Sequence, residues 1–160
     1  MELNMKQYEQ LLKPLPRADI GKDGKGFAHV EAWNMRRLMN GIFGFTNWSA
    51  TTDSMELIFE SEGNGARWTV AYRAQVTVYV NGSTYTEWAV GDSQNQPNRA
   101  DCHDMAIKTA ESQAFKRCCV NLGDQFGLFL YDDGGFDKST GAAKQSLKGT
   151  LDVWVPEVTE

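Results

Sequence analysis

The pattern of apolar positions first predicts a short helix. Between residues 29 and 43, apolar side chains follow the i, i+3, i+4, i+7 spacing of one helix face: Met35, Leu38, Met39 and Ile42. The run Gly41-Ile42-Phe43-Gly44-Phe45 then supplies glycines suited to end a helix. Trp48 opens a region of β character, so we expect strands to follow this helix.

A period of two marks the next segment as a half-buried strand. Its even positions are apolar: Trp68, Val70, Tyr72, Ala74, Val76, Val78 and Val80. Asn81-Gly82 is a hairpin signal, and a strand over residues 55–61 precedes a glycine-rich turn, which together predict an antiparallel meander of at least three strands. A two-residue hairpin loop would place Glu87 on the valine face, whereas an odd-length loop keeps Trp88 and Val90 there. We favour the odd-length loop.

A longer helix is predicted after the meander. The polar segment 92–99 contains Pro97 and interrupts the β pattern, and residues 100–122 then lack glycine and proline. Small and apolar residues wrap much of this helix, which indicates burial against the sheet or a neighbouring subunit: Ala106, Ala110, Ala114, Phe115, Cys118, Cys119 and Leu122. The predicted fold class is α+β, an antiparallel β-meander packed on a long helix and preceded by a shorter helix.

Length and composition fit one domain with a tail. We predict a domain over residues 1–131 and a flexible acidic tail over 132–160, because the sequence after Tyr131 is rich in Gly, Ser and Asp. No secretory signal or membrane-length apolar run is evident, and the three cysteines are an odd number. We therefore expect an intracellular protein with reduced thiols and no membrane partner.

The net charge of −5 argues against a nucleic-acid binder, since such proteins are usually basic. However, residues 1–130 carry 13 Lys/Arg and 15 Asp/Glu, whereas residues 131–160 carry 3 and 6, so more than half of the deficit lies in the tail. A near-neutral body can still bind phosphates, because affinity follows local neutralisation and counterion release.

Two basic stretches and one strand carry the candidate binding residues. Glycines interleave the first stretch and would let its backbone approach phosphates, although a solvated loop is the alternative: Arg17, Lys22 and Lys25. The second is Lys116-Arg117 near the end of the long helix, with Lys108 two turns upstream and Arg99 before the start of the helix. A solvated helix end is the alternative. Lys108 and Lys116 are offset by about 80° at ~100° per residue and could flank one groove. Arg73, beside Tyr79 on the polar strand face, is a weaker candidate.

Residues for catalysis, metal binding or nucleotide hydrolysis do not cluster. His29 is isolated, Cys102-His103-Asp104 lacks the spacing of a zinc site, and no Walker A motif is present. Asp132, Asp133 and Asp137 miss the spacing of an EF-hand. We therefore predict no catalytic residue, no metal and no cofactor, and we do not expect an enzyme.

Three stretches, in this order and spacing, resemble the Rad fifty-two (Rad52) family of single-strand annealing recombination proteins, which includes phage members. The first is Leu12-Lys-Pro-Leu-Pro-Arg17, followed by the glycine-rich loop and by Phe27-Ala-His-Val-Glu31. The second is Phe43-Gly-Phe-Thr-Asn-Trp48-Ser49, and the third is Glu111-Ser-Gln-Ala-Phe-Lys116-Arg117. The resemblance covers roughly residues 8 to 131. It leads us to expect a phage or bacterial member, placed in the cytoplasm of a bacterium or infected host.

The resemblance implies a ring-forming protomer that binds single-stranded DNA by its backbone and anneals complementary strands without ATP in recombination and repair. Carried over to matching positions, the inner groove would use Arg17, Lys116 and Arg117, with Ser112 as a polar contact; Arg99 and Lys108 match positions where the family often carries cations. Members can carry a basic residue in place of Val120 and an aromatic in place of His29. We expect no recombinase loading, and name a single-strand-binding protein as candidate partner of the acidic tail.

Two other functions remain open. A small sheet packed on a helix also suits modules that bind duplex RNA by its shape. The negative charge favours a structural oligomer or inhibitor without a nucleic-acid role.

Overall fold

The structure, a computed structural model, describes residues 2–145. Its contacts divide the chain into two compact units. Residues 49–118 form one, called the sheet unit below, and the described part of the other, called the terminal unit, consists of residues 2–48 and 119–145.

The sheet unit is an antiparallel meander followed by a long helix, which confirms the predicted fold class. Its strands lie in the order β3, β4, β5, with β3 at Trp48–Gly63, β4 at Arg67–Val80 and β5 at Ser83–Gln96. The helix α3 follows at Arg99–Val120. Predicting a loop over residues 92–99 was wrong, because β5 continues to Gln96. The polar residues of this stretch point outward from an edge strand, while the small Gly91 and Ser93 are buried, so the strand lacks the apolar alternation that would reveal it.

The hairpin between β4 and β5 has a two-residue loop, so the odd-length loop was wrong. Asn81 and Gly82 both have positive φ, of 49° and 82°, as a two-residue hairpin turn requires. Val76 consequently pairs with Glu87, and Gln75 pairs with Trp88. The register therefore puts the Glu87 carboxylate on the valine face and Trp88 on the opposite face.

A stripe of small residues packs α3 onto the sheet. Five buried positions of the helix recur every fourth residue and form this stripe: Cys102, Ala106, Ala110, Ala114 and Cys118. Phe115 and Cys119 are buried as well, so burial widens beyond the stripe toward the end of the helix, as the sequence predicted. Gly91 of β5 lies against this stripe, since a Cβ added to it would sit 2.7 Å from the Ala110 Cα and the Thr109 carbonyl carbon. The helix thus approaches the sheet closely because neither surface carries a large side chain at this point.

The terminal unit contains two helices and a small hairpin. Helix α1 at Met5–Leu12 is not among the elements that the pattern predicts; α2 at Ala32–Phe43 confirms the predicted short helix and ends at Gly44, whose φ is 89°. Strands β1 at Gly21–Lys22 and β2 at Ala28–His29 form the hairpin. Short 3₁₀ helices complete the unit at Arg17–Asp19, Asp124–Phe126 and Leu128–Tyr131.

The described part of the predicted tail consists of turns. Residues 132–145 contain a single β-bridge between Phe136 and Ala143. The rest of the predicted tail, residues 146–160, lies outside the described residues. The domain boundary at residue 131 stays a prediction.

Candidate nucleic-acid interface

Arg17 lies in the terminal unit at the first position of a 3₁₀ helix. Its guanidinium carbon is 3.8 Å from the centre of the Phe136 ring, and its Nη2 donates a hydrogen bond of 3.0 Å to the Gly141 carbonyl oxygen. Among the described residues, no carboxylate lies within salt-bridge distance of Arg17. This cation is therefore fixed in place while its charge stays available to an anion.

Lys22 and Lys25 belong to the β1–β2 hairpin of the same unit and are exposed. The Asp23 carboxylate organises the turn by accepting hydrogen bonds from the Lys25 and Phe27 amides, at 2.9 and 3.0 Å. The bond from the Phe27 amide is the main reason that the pKa of Asp23 is lowered. Phe27, at the end of the same turn, is 68% exposed, so the hairpin carries an exposed aromatic ring as well as two exposed lysines.

Arg73 lies on the open face of the sheet unit, on β4. It forms an ion pair and a hydrogen bond with Glu56 of β3, and its guanidinium carbon is 5.5 Å from the centre of the Trp88 ring. The hairpin register brings Trp88 to this face, where its side chain is 39% exposed. A cation and an aromatic ring that nucleobases can stack on thus stand together.

Arg99 begins α3 and is held by Glu60 of β3. Its Nε and Nη2 donate to the two carboxylate oxygens of Glu60 at 3.0 and 2.8 Å, and its guanidinium carbon is 4.9 Å from the centre of the Trp68 ring. His103 contacts the same carboxylate through Nε2, and its Nδ1 is 2.6 Å from the Tyr72 hydroxyl. Hydrogen bonds from Arg99 and then His103 lower the pKa of Glu60, and the same carboxylate raises the pKa of Arg99.

Lys108, Ser112 and Lys116 lie on one side of α3 at successive i+4 positions. At ~100° per residue they are about 160° to 180° around the helix from the buried stripe at the same height, so this side faces away from the sheet. The Lys108 ammonium donates to Asp104 at 2.7 Å, and this hydrogen bond raises the pKa of Lys108. Ser112 and Lys116 are half-buried.

Arg117 is turned toward the sheet instead. Its Nη1 donates to the Trp88 carbonyl oxygen at 2.6 Å, and its Nη2 is 3.3 Å from a carboxylate oxygen of Glu87. This ion pair accounts for the carboxylate on the valine face, because a partly buried charge is tolerated where it is paired. Arg117 thus contributes to the structure of the sheet unit.

The structure shows that several candidate cations contact carboxylates, which the sequence analysis did not predict. In the sheet unit, the four candidates with an ion pair contact Glu56, Glu60, Asp104 and Glu87. The Asp104 partner stands four residues before Lys108 on a helix and could have been found from that spacing. The other three depend on strand register, which the sequence did not reveal.

Within residues 2–145, no group of three or more His, Cys, Asp or Glu side chains is arranged to hold a metal ion. Over the same residues, no helix combines the length and the apolar character needed to cross a membrane.

Comparison with known proteins identifies the family. Residues 5–148 match the family described as "Rad52/22 family double-strand break repair protein". The chain therefore belongs to the Rad52/22 family, as the resemblance of its motifs indicated.

Fungal relatives support the same assignment. The chain is 32% identical over 114 residues to the "DNA repair and recombination protein RAD52" of Eremothecium gossypii, which covers 71% of this chain and 26% of that protein. The Saccharomyces cerevisiae protein of the same name is 30% identical over 114 residues, covering 71% and 24%. The "DNA repair and recombination protein rad22" of Schizosaccharomyces pombe is 30% identical over 115 residues, covering 70% and 24%. The chain thus spans about a quarter of the length of these relatives.

Proposed function

We propose that this chain binds single-stranded DNA by its phosphate backbone and anneals complementary strands in DNA recombination and repair. The observation that carries the proposal is the family match over residues 5–148, together with relatives named as DNA repair and recombination proteins. The bound strand would be held by Arg17, Lys116 and Arg117 with Ser112, and further cations would extend the contact: Lys22, Lys25, Arg73, Arg99 and Lys108.

The proposed mechanism needs no ATP and no catalytic group. Each protomer neutralises a few phosphates, a ring of protomers holds the strand extended, and the exposed bases sample partners until a stable duplex forms. Base pairing supplies the sequence specificity, because contacts to phosphates carry no sequence information. The protein lowers the entropic barrier by ordering one of the two reactants.

The placement of the cations supports backbone binding. Arg17 is fixed but has no carboxylate within salt-bridge distance among residues 2–145, and Lys108, Ser112 and Lys116 occupy the side of α3 that faces away from the sheet. Ring formation, a single-strand-binding protein as partner of the acidic tail, and a cytoplasmic phage or bacterial setting stay predictions. The relatives named above are fungal and give the last of these no support.

The test is annealing of two complementary dye-labelled oligonucleotides without ATP, at low and moderate salt, with the mass of the free protein measured in parallel. Acceleration by a large oligomer is the expected result. Lys116→Ala should weaken binding to all sequences equally and reduce the salt slope by about 1, while Lys6→Ala, an exposed lysine of α1, serves as the matched control.

Two results would contradict the proposal. If Lys116→Ala binds DNA as tightly as wild type, Lys116 does not contact the bound strand, and the proposed binding site is wrong. A monomer that accelerates nothing and binds no DNA at low salt would favour a structural role, and preference for an RNA oligomer of the same sequence would favour the RNA-binding alternative.

A further inference from the structure

The guanidinium of Arg17 makes two contacts with a segment that lies more than a hundred residues later in the chain. The Phe136 ring covers one face at 3.8 Å, and the Gly141 carbonyl oxygen accepts one hydrogen bond from Nη2 at 3.0 Å. Both contacts come from residues 135–144, which we call the clasp loop. Arg17 itself is exposed, so these contacts restrict a side chain that would otherwise sample many rotamers.

The clasp loop holds its own shape. The Lys144 amide donates to the Gly135 carbonyl oxygen and the Asp137 amide donates to the Ala142 carbonyl oxygen, both at 2.8 Å. The Asp137 carboxylate accepts hydrogen bonds from the Ser139 and Thr140 amides at 2.8 and 2.9 Å. These bonds keep the pKa of Asp137 well below its ordinary value, with the Ser139 side chain contributing most. The carbonyl that Arg17 contacts therefore belongs to a preformed turn.

The loop is also anchored to the terminal unit. The Phe136 ring packs edge-on against Phe129, with ring centres 5.6 Å apart, and Phe129 is buried. Gly135 lies so close to the preceding 3₁₀ helix that an added Cβ would be 2.9 Å from side-chain atoms of both Phe129 and Leu130. The aromatic surface under Arg17 is thus fixed to the core of the unit.

These contacts leave much of the guanidinium available. A guanidinium has five N–H donors, and the Gly141 carbonyl uses one of them. The Phe136 ring covers a face and leaves the edge that carries the donors open. A phosphodiester accepts hydrogen bonds from such an edge in the planar geometry that arginine favours.

We propose that the clasp loop is a positioning element that presents Arg17 to a backbone phosphate of single-stranded DNA, with Phe136 as its central residue. The inference rests on the proposed function. It places a residue that supports DNA binding beyond residue 131, in the stretch predicted to be a flexible tail. A guanidinium fixed before the ligand arrives loses less side-chain entropy on binding.

The test uses the full chain and measures affinity for dye-labelled oligo(dT) by fluorescence anisotropy. Phe136→Leu keeps an apolar side chain against Phe129 but removes the aromatic face, and Phe136→Tyr restores it. Tyr131→Leu, a similar replacement at a 74% exposed position, is the matched control. Phe136→Leu should weaken binding about 2- to 5-fold, the range to which an exposed cation–π contact corresponds. Phe136→Tyr and Tyr131→Leu should bind like wild type.

A double-mutant cycle separates positioning from general loss of structure. In an Arg17→Ala background, Phe136→Leu should have no further effect on affinity, because its contribution passes through Arg17. Equal losses with and without Arg17, or wild-type affinity in Phe136→Leu, would overturn the inference while DNA binding stands. Tighter binding by Phe136→Leu would overturn it in favour of a loop that sequesters Arg17. If wild type and Arg17→Ala bind oligo(dT) equally weakly at low salt, the proposed function fails, and this inference with it.

Discussion

Replacing Gly91 by alanine tests how closely α3 approaches the sheet. A Cβ at this position would sit 2.7 Å from the Ala110 Cα and the Thr109 carbonyl carbon, and closer still to the Ala110 amide nitrogen. Real Cβ atoms essentially never come within 3.0 Å of such atoms, and the Ala110 amide nitrogen would be only 2.1 Å away, so the helix and β5 have to separate by about 0.9 Å or more. The obstructing atoms are backbone atoms, which cannot move aside by a change of rotamer.

The size of the effect follows from this geometry. Overpacking a well-packed core costs about 1–3 kcal/mol, and the upper end applies because a whole helix has to shift. Separation would also loosen the contacts of the buried stripe, in which Cys102 and Ala106 pack on Val70. For a chain of this length, a loss of about 3 kcal/mol corresponds to a fall in Tm of about 6 to 12 °C.

Gly41→Ala is the matched control. Gly41 lies on α2 with nothing within 4 Å of an added Cβ, so alanine should raise the free energy of unfolding by about 0.5–1 kcal/mol through helix propensity. Both variants are compared with wild type by urea unfolding at one protein concentration, followed by far-ultraviolet circular dichroism. A Gly91→Ala variant as stable as wild type would show that the helix does not approach the sheet as described.

Two further predictions concern ionisable groups. Glu60→Gln should lower the free energy of unfolding at neutral pH, because Arg99 and His103 stabilise the Glu60 carboxylate and lower its pKa below the ordinary 4.5. This stabilisation is present above pH 4.5 and disappears as the pH falls through the lowered pKa. A difference in stability between wild type and variant that stays constant into acid would contradict the prediction. Burial raises the pKa of the Cys118 thiol to about 11, so iodoacetamide at about pH 8 should leave Cys118 unmodified in the folded protein and modify it in urea, as measured by peptide mass spectrometry; equal rates in both states would refute the burial of this thiol.

Hydrophobic periodicity was sufficient to predict α2 and β4, and a long run without glycine or proline was sufficient to predict α3. Periodicity could not decide the hairpin register. Both loop lengths are compatible with Asn81-Gly82, and a shift of one residue moves every side chain of β5 to the other face. The choice depended on Glu87, whose partner Arg117 lies thirty positions later on a helix. A local pattern contains no information about such a partner.

The sequence predicted which residues of the candidate site are cations, but it did not predict which residues they contact. Basic residues and motifs are visible in sequence, so the positions of the candidate cations could be named. Their surroundings could not, because Arg73 and Arg99 contact carboxylates on β3, and Arg17 contacts a carbonyl 124 positions away. Only the Asp104–Lys108 pair follows from spacing alone.

The carboxylates beside Arg73, Arg99 and Lys108 give the proposed DNA contact an unusual character. A phosphate arriving at one of these cations finds an anion already there and has to take its place. Binding is then an exchange of one negative partner for another, and the displaced carboxylate stays tethered nearby, ready to return. On the proposed function, a strand held by such exchanges would be bound weakly at each of these cations, so it could shift its register against a complement and dissociate once it is paired.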